Sequence, residues 1–270
     1  MHKKNIIYIL CPGHSGSTLM EYYFSTYSGK IGIGEAYKAV RSFRAKGIDS
    51  LSEYDRKTIK ETAFWKQVLE TTENYSSLDH QYRALYEKIH HSEEFSQYDT
   101  IIDSSKSMSA LRILHQEYAN RVHVAVVIKD VRSWIVSQYE NNRRKDRKVP
   151  FAYNFRLIAK WYRTYYQIQK NLDAMNVKYT MVPYDLFCLN RISVEDHLKE
   201  QFSLKGDPDF SNTKSINILG NRMKKEANHE LKISYDYRWM KSNEWSTPWF
   251  LLPPNFKKFN YRHVWQLPAE

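Results

Sequence analysis

The stretch Tyr8–Phe24, YILCPGHSGSTLMEYYF, constrains the fold of this chain most tightly. The apolar run Asn5–Leu10 stops at Pro12-Gly13, passes through His14-Ser15-Gly16-Ser17-Thr18, and resumes with apolar residues at helical spacing. A short apolar run closed by turn residues suits a buried parallel strand, and a Ser/Thr-rich start suits the N-terminus of a helix. Strand, tight loop and helix in that order build a cradle for an anion. Glycine permits a backbone path on which successive N–H groups converge, and the helix adds its unpaired N–H groups and positive dipole end. Ser15, Ser17 and Thr18 add hydroxyl donors. A phosphate, or a group like it, fits over Gly13–Thr18; the plainer alternative is an ordinary Ser-capped junction.

Three further runs extend the pattern: 98–106 (YDTIIDSSK), 122–130 (VHVAVVIKD, rich in β-branched residues) and 177–187 (VKYTMVPYDLF). Helical spacing occupies 109–119, 131–144 and the aromatic-rich 151–175. Residues 28–40, SGKIGIGEAYKAV, read as a turn through three glycines into a helix, and 215–226, SINILGNRMKKE, as a loop. Four short strands alternating with helices predict an α/β fold, a three-layer, doubly wound parallel sheet. With 270 residues and no internal repeat, a single domain over 1–270 is expected, with helical insertions at about 36–98 and 138–175. Ligands of such sheets sit beyond the carboxyl ends of the strands. Here those ends are Cys11–Thr18, Asp103–Lys106, Lys129–Asp130 and Pro183–Asp185.

Charge and motif grammar narrow the ligand. The formal net charge of +11 favours an anionic partner without choosing among nucleotide, sulfated glycan, nucleic acid and membrane face. No apolar run approaches the ~18 residues of a membrane span, and the N-terminal apolar core is shorter than the ~7–15 of a signal peptide. Cys11 and Cys188 are far apart and no CxxC or CxxH cluster occurs, which implies a reducing compartment and no structural zinc. The loop is not an NTPase loop, because GxxxxGK[ST] is absent and no lysine follows Gly16. GxGxxG is absent as well, so the dinucleotide fingerprint fails.

The loop resembles the 5′-phosphosulfate loop of sulfotransferases that use 3′-phosphoadenosine 5′-phosphosulfate (PAPS), where a basic residue precedes Ser-Gly-[Ser/Thr]-Thr-Leu. Further likenesses follow in order. Gly34-Glu35 is similar to the Gly-Glu that carries the catalytic glutamate in tyrosylprotein and several bacterial sulfotransferases. DSSK at 103–106 is similar to a second-strand motif of bacterial members. VIKDVRSWIVSQY at 127–139 resembles the 3′-phosphate motif, Arg-Asp-Pro-Arg followed by a serine, with Lys129 and Ser137 at the same eight-residue offset. ILGNRMK at 218–224 resembles the late Gly-Asn-Pro-Met-Arg loop near the adenosine. His14 stands where the family has Arg or Lys, Lys129 where it has Arg, and Arg222 where it has Pro. The first two retain a cation but lose permanent charge or bidentate geometry.

The resemblance implies a site. Gly13, His14, Ser15, Gly16, Ser17 and Thr18 would cradle the phosphosulfate. Lys129 and Ser137, with Arg132 beside them, would hold the 3′-phosphate. Asn221 and Lys224 would lie on the adenosine side. Glu35 would be the general base, helped by partial burial, and Lys106 and His14 would stabilise charge on the transferred group. The product would be 3′-phosphoadenosine 5′-phosphate, with no metal needed. The acceptor would be a hydroxyl, less readily an amine, of a small molecule or glycan; nucleic acid is not expected. The implied setting is the cytoplasm.

Plainer readings stand beside these. Glu35 caps the helix at AYKAV, Lys106 is a solvated lysine, Asp130 and Arg132 pair at the surface, and NNRRKDRK (141–148) is a solvated loop. The aromatic series Phe151, Tyr153, Phe155, Trp161, Tyr162, Tyr165 and Tyr166 is mostly core, the remainder lining an acceptor cleft. The competing functions are a P-loop kinase or NTPase with Asp130 as a Walker-B-like acid, a non-enzymatic polyanion binder, and a nucleotide sensor without catalysis.

Overall fold

A computed structural model describes residues 3–47, 49, 51–71, 75–148, 150, 152–211, 213–218, 231–243 and 245–267. Six strands form one parallel sheet flanked by helices: β1 (Asn5–Leu10), β2 (Lys30–Gly34), β3 (Thr100–Asp103), β4 (Val122–Ile128), β5 (Tyr179–Pro183) and β6 (Ser215–Ile218). Their order is β5-β4-β1-β3-β2-β6. β1 lies between β4 and β3; from β1 the chain passes to β2 and returns to β3 between the two, and β4 and β5 follow on the other side of β1.

Two of the six strands are absent from the sequence expectation. β2 is the segment read as a glycine turn. All five of its residues are buried, and it pairs with β3 from Lys30 opposite Thr100 to Gly32 opposite Ile102. Its glycines serve close packing: a Cβ on Gly32 would stand 2.6 Å from Glu21 Oε1 and 3.0 Å from Ser25 Oγ. The helix behind β2 therefore lies against bare backbone, and Gly32 and Gly34, with Gly29 just before them, hid a strand whose other residues are Lys30, Ile31 and Ile33. β6 is four residues long and pairs with β2 alone at the end of the sheet order. A strand that short has too few residues to show an alternation.

Contacts group the chain into two compact units, Met1–Leu10 with Thr18–Val124 and Lys205–Lys232, and Cys11–Ser17 with Ala125–Leu204 and Ile233–Glu270. The first holds α2 (Ala36–Lys46), α3 (Glu53–Glu61), α4 (Ala63–Glu70), α5 (Leu78–His91) and α6 (Met108–Tyr118), together with all but the first residue of α1 (Ser17–Ser25). Ser52, Ser77 and Ser107 cap α3, α5 and α6 by accepting from the N–H groups of Asp55, His80 and Ala110. Trp65 of α4 packs on Phe64 and Phe43 and donates to Ile216 O at 2.6 Å, fastening α4 to β6. Tyr82 and Tyr86 of α5 donate to the fully buried Asp103 carboxylate at 2.5 and 2.9 Å. These bonds compensate a charge that would be costly if left unpaired in the interior.

The second unit holds α7 (Val131–Arg143), α8 (Tyr153–Ala174), α9 (Tyr184–Leu189), α10 (Arg191–Gln201) and the C-terminal helix Pro254–Val264. In α8 the residues Leu157, Ile158, Trp161, Tyr165, Ile168 and Leu172 are buried, spaced as one helical face. The aromatic series is therefore core only at Trp161 and Tyr165. Phe155 and Tyr166 are exposed, because a helix can turn only one face inward, and Phe151 lies outside the described residues. Trp161 Nε1 donates to Lys129 O at 3.0 Å and Tyr165 OH to Val127 O at 2.9 Å, so α8 pins the end of β4. Past Arg143 the basic tract 144–148 is exposed, as a solvated loop should be.

Candidate active site

The loop 11–17 belongs to the second unit and is held by that unit's helices. Trp134 and Gln138 of α7 both donate to Gly13 O, at 2.9 and 3.1 Å. Tyr165 of α8, whose hydroxyl proton goes to Val127 O, accepts from Ser15 Oγ at 3.1 Å, and Ser15 is wholly buried. His14 and Gly16 have left-handed backbones, with φ of 70° and 93°. Gly16 admits no other residue, since a Cβ there would stand 2.0 Å from the Tyr184 ring. A Cβ on Gly13 would meet nothing within 4 Å, so the space beside it is open. His14 is exposed, Ser17 and Thr18 are buried at the start of α1, and the loop thus ends on a helix N-terminus.

In the same unit Lys129 and Ser137 come together. Lys129 Nζ donates to Ser137 Oγ at 3.1 Å and to Asp236 Oδ2 at 3.3 Å, and the Ser137 hydroxyl donates to Ser133 O. Nζ also stands 5.5 Å from the centre of the Tyr184 ring. Asp236 is gripped by Arg238, whose Nε and Nη2 donate at 2.7 and 2.6 Å, and Arg238 reaches Glu140 as well. Burial pushes the Asp236 carboxyl up, but Arg238 and Lys129 outweigh it and hold the group at about 2.

Arg132 is committed elsewhere. Its Nε and Nη2 donate to the two oxygens of Asp130 at 2.9 and 2.8 Å, and its guanidinium lies 4.2 Å from the Trp239 ring, with Trp249 and Trp245 beyond. The expected Asp130–Arg132 pair exists but not at the surface, because Asp130 is fully buried. Asp130 also accepts from Asn260 and Trp265, at 2.9 and 2.8 Å. A carboxylate so enclosed is poorly suited to hold magnesium, which weakens the kinase reading. Beside it, Asp185 Oδ2 accepts from Asp130 N at 2.6 Å. Burial and the Asp130 charge push Asp185 up to about 7. Asn221 and Lys224 lie outside the described residues, as does Arg222.

In the first unit Glu35 and Lys106 meet. Lys106 Nζ donates to Glu35 Oε1 at 2.6 Å, and Lys38 Nζ to Oε2 at 2.9 Å. Glu35 stands at the N-cap position of α2, yet its side chain makes no capping bond. The plain capping role is therefore not what the carboxylate does. Lys106 is not a solvated lysine either, since its side chain is 19% exposed and ion-paired. Its backbone is left-handed, with φ of 57°. Partial burial was expected to make Glu35 more basic. Burial does push its carboxyl up, but Lys106 and Lys38 together outweigh burial and hold it below the ordinary carboxylate value.

Glu21, which sequence reasoning passed over, supports this pair from α1. It is 1% exposed; Oε1 accepts from Gly34 N at 2.8 Å and Oε2 from Ser104 Oγ at 2.5 Å. Gly34 O in turn accepts from Ser104 N, and Ser105 Oγ from Tyr37 N, each at 2.9 Å. The ends of β2 and β3 are thus tied immediately before Glu35 and Lys106. A lone acid among the apolar residues of α1 was the available signal for Glu21, and the i, i+3 spacing was the signal for Lys38. Asp236 and Arg238 carry no local signal, being far from Lys129 in sequence. Among the described residues no group of three or more His, Cys, Asp and Glu side chains is arranged to hold a metal ion, and no helix is long and apolar enough to cross a membrane.

No protein-family model matches the chain, and no curated protein does. Solved structures do. The sulfotransferase domain from the curacin biosynthetic pathway superposes with a TM-score of 0.59 at 16% identity, over 99% of each chain. The sulfotransferase domain from the Synechococcus PCC 7002 olefin synthase superposes with a TM-score of 0.57 at 14% identity, over 99% of this chain and 98% of that one. With a six-stranded parallel sheet flanked by helices, this chain has the sulfotransferase-domain fold.

Proposed function

We propose that the chain is a sulfotransferase that transfers a sulfuryl group from PAPS to a hydroxyl of a small-molecule or glycan acceptor. The observation that carries this reading is the Glu35–Lys106 pair. A carboxylate at the N-cap position of α2 forgoes the helix it could cap and is kept ionised by two lysines at 2.6 and 2.9 Å. Features of the second unit fit the donor. The space beside Gly13 is open, Gly16 allows the tight turn, and Lys129 with Ser137 offers a cation and a hydroxyl to a phosphate. We place it in the cytoplasm, where Cys11 and Cys188 would stay reduced.

When bound, PAPS supplies the sulfuryl group and departs as adenosine 3′,5′-bisphosphate. Glu35 takes the proton of the acceptor hydroxyl as that oxygen bonds to sulfur. Being ionised well below neutrality, it is always free to accept, and its strength as a base rises if the acceptor displaces a lysine from it. Lys106 stabilises negative charge that builds on the sulfonate or leaving oxygen. The loop N–H groups and the hydroxyls of Ser17 and Thr18 bind and orient the phosphosulfate, while Ser15, wholly buried against Tyr165, holds the shape of the loop and not the ligand. His14 adds charge there when protonated.

The test is transfer from PAPS, without magnesium, to a panel of hydroxyl and amine acceptors. Glu35→Ala is expected to lower kcat by at least about a hundredfold, the usual scale of a general base, while leaving the Kd for PAPS within about threefold. Full activity in that variant would remove Glu35 as the base. ATP turnover in place of PAPS turnover would restore the kinase reading.

A further inference from the structure

The cation assigned to the donor's 3′-phosphate already carries an anion of the chain's own. Asp236 Oδ2 stands 3.3 Å from Lys129 Nζ, which also holds Ser137 Oγ at 3.1 Å. Carboxylate, lysine and serine are thus arranged as a phosphate oxygen, lysine and serine would be. Lys129 and Asp236 are 6% and 18% exposed at their side chains, so the contact is largely desolvated and not a surface ion pair. We propose that Asp236 is an internal stand-in for the 3′-phosphate, a specificity-determining residue that holds Lys129 until a 3′-phosphorylated nucleotide takes its place. The proposal rests on the PAPS reading above.

Asp236 is able to let go. Arg238 binds it through both Nε and Nη2, at 2.7 and 2.6 Å, so releasing Lys129 leaves no bare carboxylate. A cavity of about 410 Å³, lined by Ser234, Tyr235, Asp236, Tyr237, Arg238 and Lys241, adjoins the residue and gives it room. Lys129 cannot follow it as easily, since its backbone carbonyl is fixed by Trp161 and its ammonium is already against Ser137 and Tyr184. A phosphate monoester carries about 1.5–2 negative charges and three strong acceptor oxygens, against one charge on the carboxylate. It therefore displaces the carboxylate, whereas a nucleotide without a 3′-phosphate has nothing to offer Lys129 and leaves Asp236 in place. The internal anion raises the discrimination against plain adenine nucleotides and lowers the absolute affinity for the correct one.

The experiment compares adenosine 3′,5′-bisphosphate with adenosine 5′-monophosphate by calorimetry in the wild type, Asp236→Asn and Asp236→Ser. Asn and Ser both remain good caps for the turn at Tyr237–Lys241, whose Arg238 N–H Asp236 accepts at 3.2 Å. Removing the charge is expected to tighten the bisphosphate about three- to tenfold and to change the monophosphate less than twofold. Unchanged or weaker bisphosphate binding in folded variants overturns the proposal and leaves the sulfotransferase reading intact. A wild type that binds neither nucleotide overturns both. Failure of both variants to fold, seen by thermal unfolding, makes Asp236 a structural residue and overturns the proposal.

Discussion

Glu35 shows how two neighbours decide the character of a carboxylate. Alone, burial would raise its pKa; Lys106 and Lys38 reverse the sign. Because the folded value lies below the ordinary one, the carboxylate is ionised throughout the neutral range, and an acid limb due to Glu35 falls below the ordinary carboxylate pKa of ~4.3. Lys38 is half-exposed and touches only the outer oxygen, so it can be removed with less damage than Lys106. Lys38→Met is expected to move the acid limb of the kcat/KM profile upward, because one of the two charges that lower the Glu35 pKa is gone. An unmoved limb would mean that another group sets the acid side. The residue-level content of the sequence was uneven. Lys38 and Glu35 lie one helical turn apart, and such a pair is readable. Glu35 and Lys106 are 71 positions apart, so only the parallel pairing of β2 with β3 makes them neighbours.

At the level of elements, β2 is the instructive case. Its sequence, KIGIG, looks like a flexible turn because glycine costs a strand backbone entropy and side-chain contacts. In the fold those glycines are what allow α1 to lie close enough for Glu21 to reach Gly34 N. Gly32→Ala would drive a methyl group into Glu21 Oε1, a buried oxygen already committed to Gly34 N. We expect a loss of about 1–3 kcal/mol in urea unfolding, the scale of overpacking at a closed site. The same change should lower kcat more than it raises KM, because the segment displaced carries Glu35. A stable, fully active Gly32→Ala would show that β2 tolerates a side chain and that Glu21 does not position the pair. By contrast α8 was legible nearly to the residue, since a long amphipathic period needs no knowledge of a partner.

For the whole molecule, two buried groups set opposing responses to pH. His90 is held at about 4, mainly by burial, with Glu87 opposing and Lys4 and Lys3 assisting. Its Nδ1 accepts from Lys4 N at 3.2 Å, which requires a neutral ring. A lowered histidine pKa means that the unfolded chain binds the extra proton, so this stability is complete above about 6.5 and is lost as pH falls toward 4. Asp185, raised to about 7, has the opposite sign: its contribution is complete below the unfolded value and is lost as pH rises through 7. The two tend to cancel between pH 4 and 6.5. His90→Gln, which keeps an acceptor for Lys4, should therefore make stability fall with pH across that window relative to the wild type. Asp185→Asn should make it rise. Urea midpoints at pH 4.5, 5.5 and 6.5 check both, and parallel curves for all three proteins would reject the assignment.

What the sequence by itself determined was the local grammar. The strand–loop–helix at 5–25, the α/β alternation and the strand ends that bear Lys106 and Lys129 are properties of short windows, set by periodicity, glycine and β-branching. Tertiary structure alone decided which charges meet. It seated Asp236 on Lys129 across 107 positions, and it buried the Asp130 whose pairing with Arg132 the sequence already suggested. It also set Glu21 beneath two strand ends. Coulomb and hydrogen-bond energies depend on distance and desolvation, and no window of sequence holds either when the partners are a hundred residues apart.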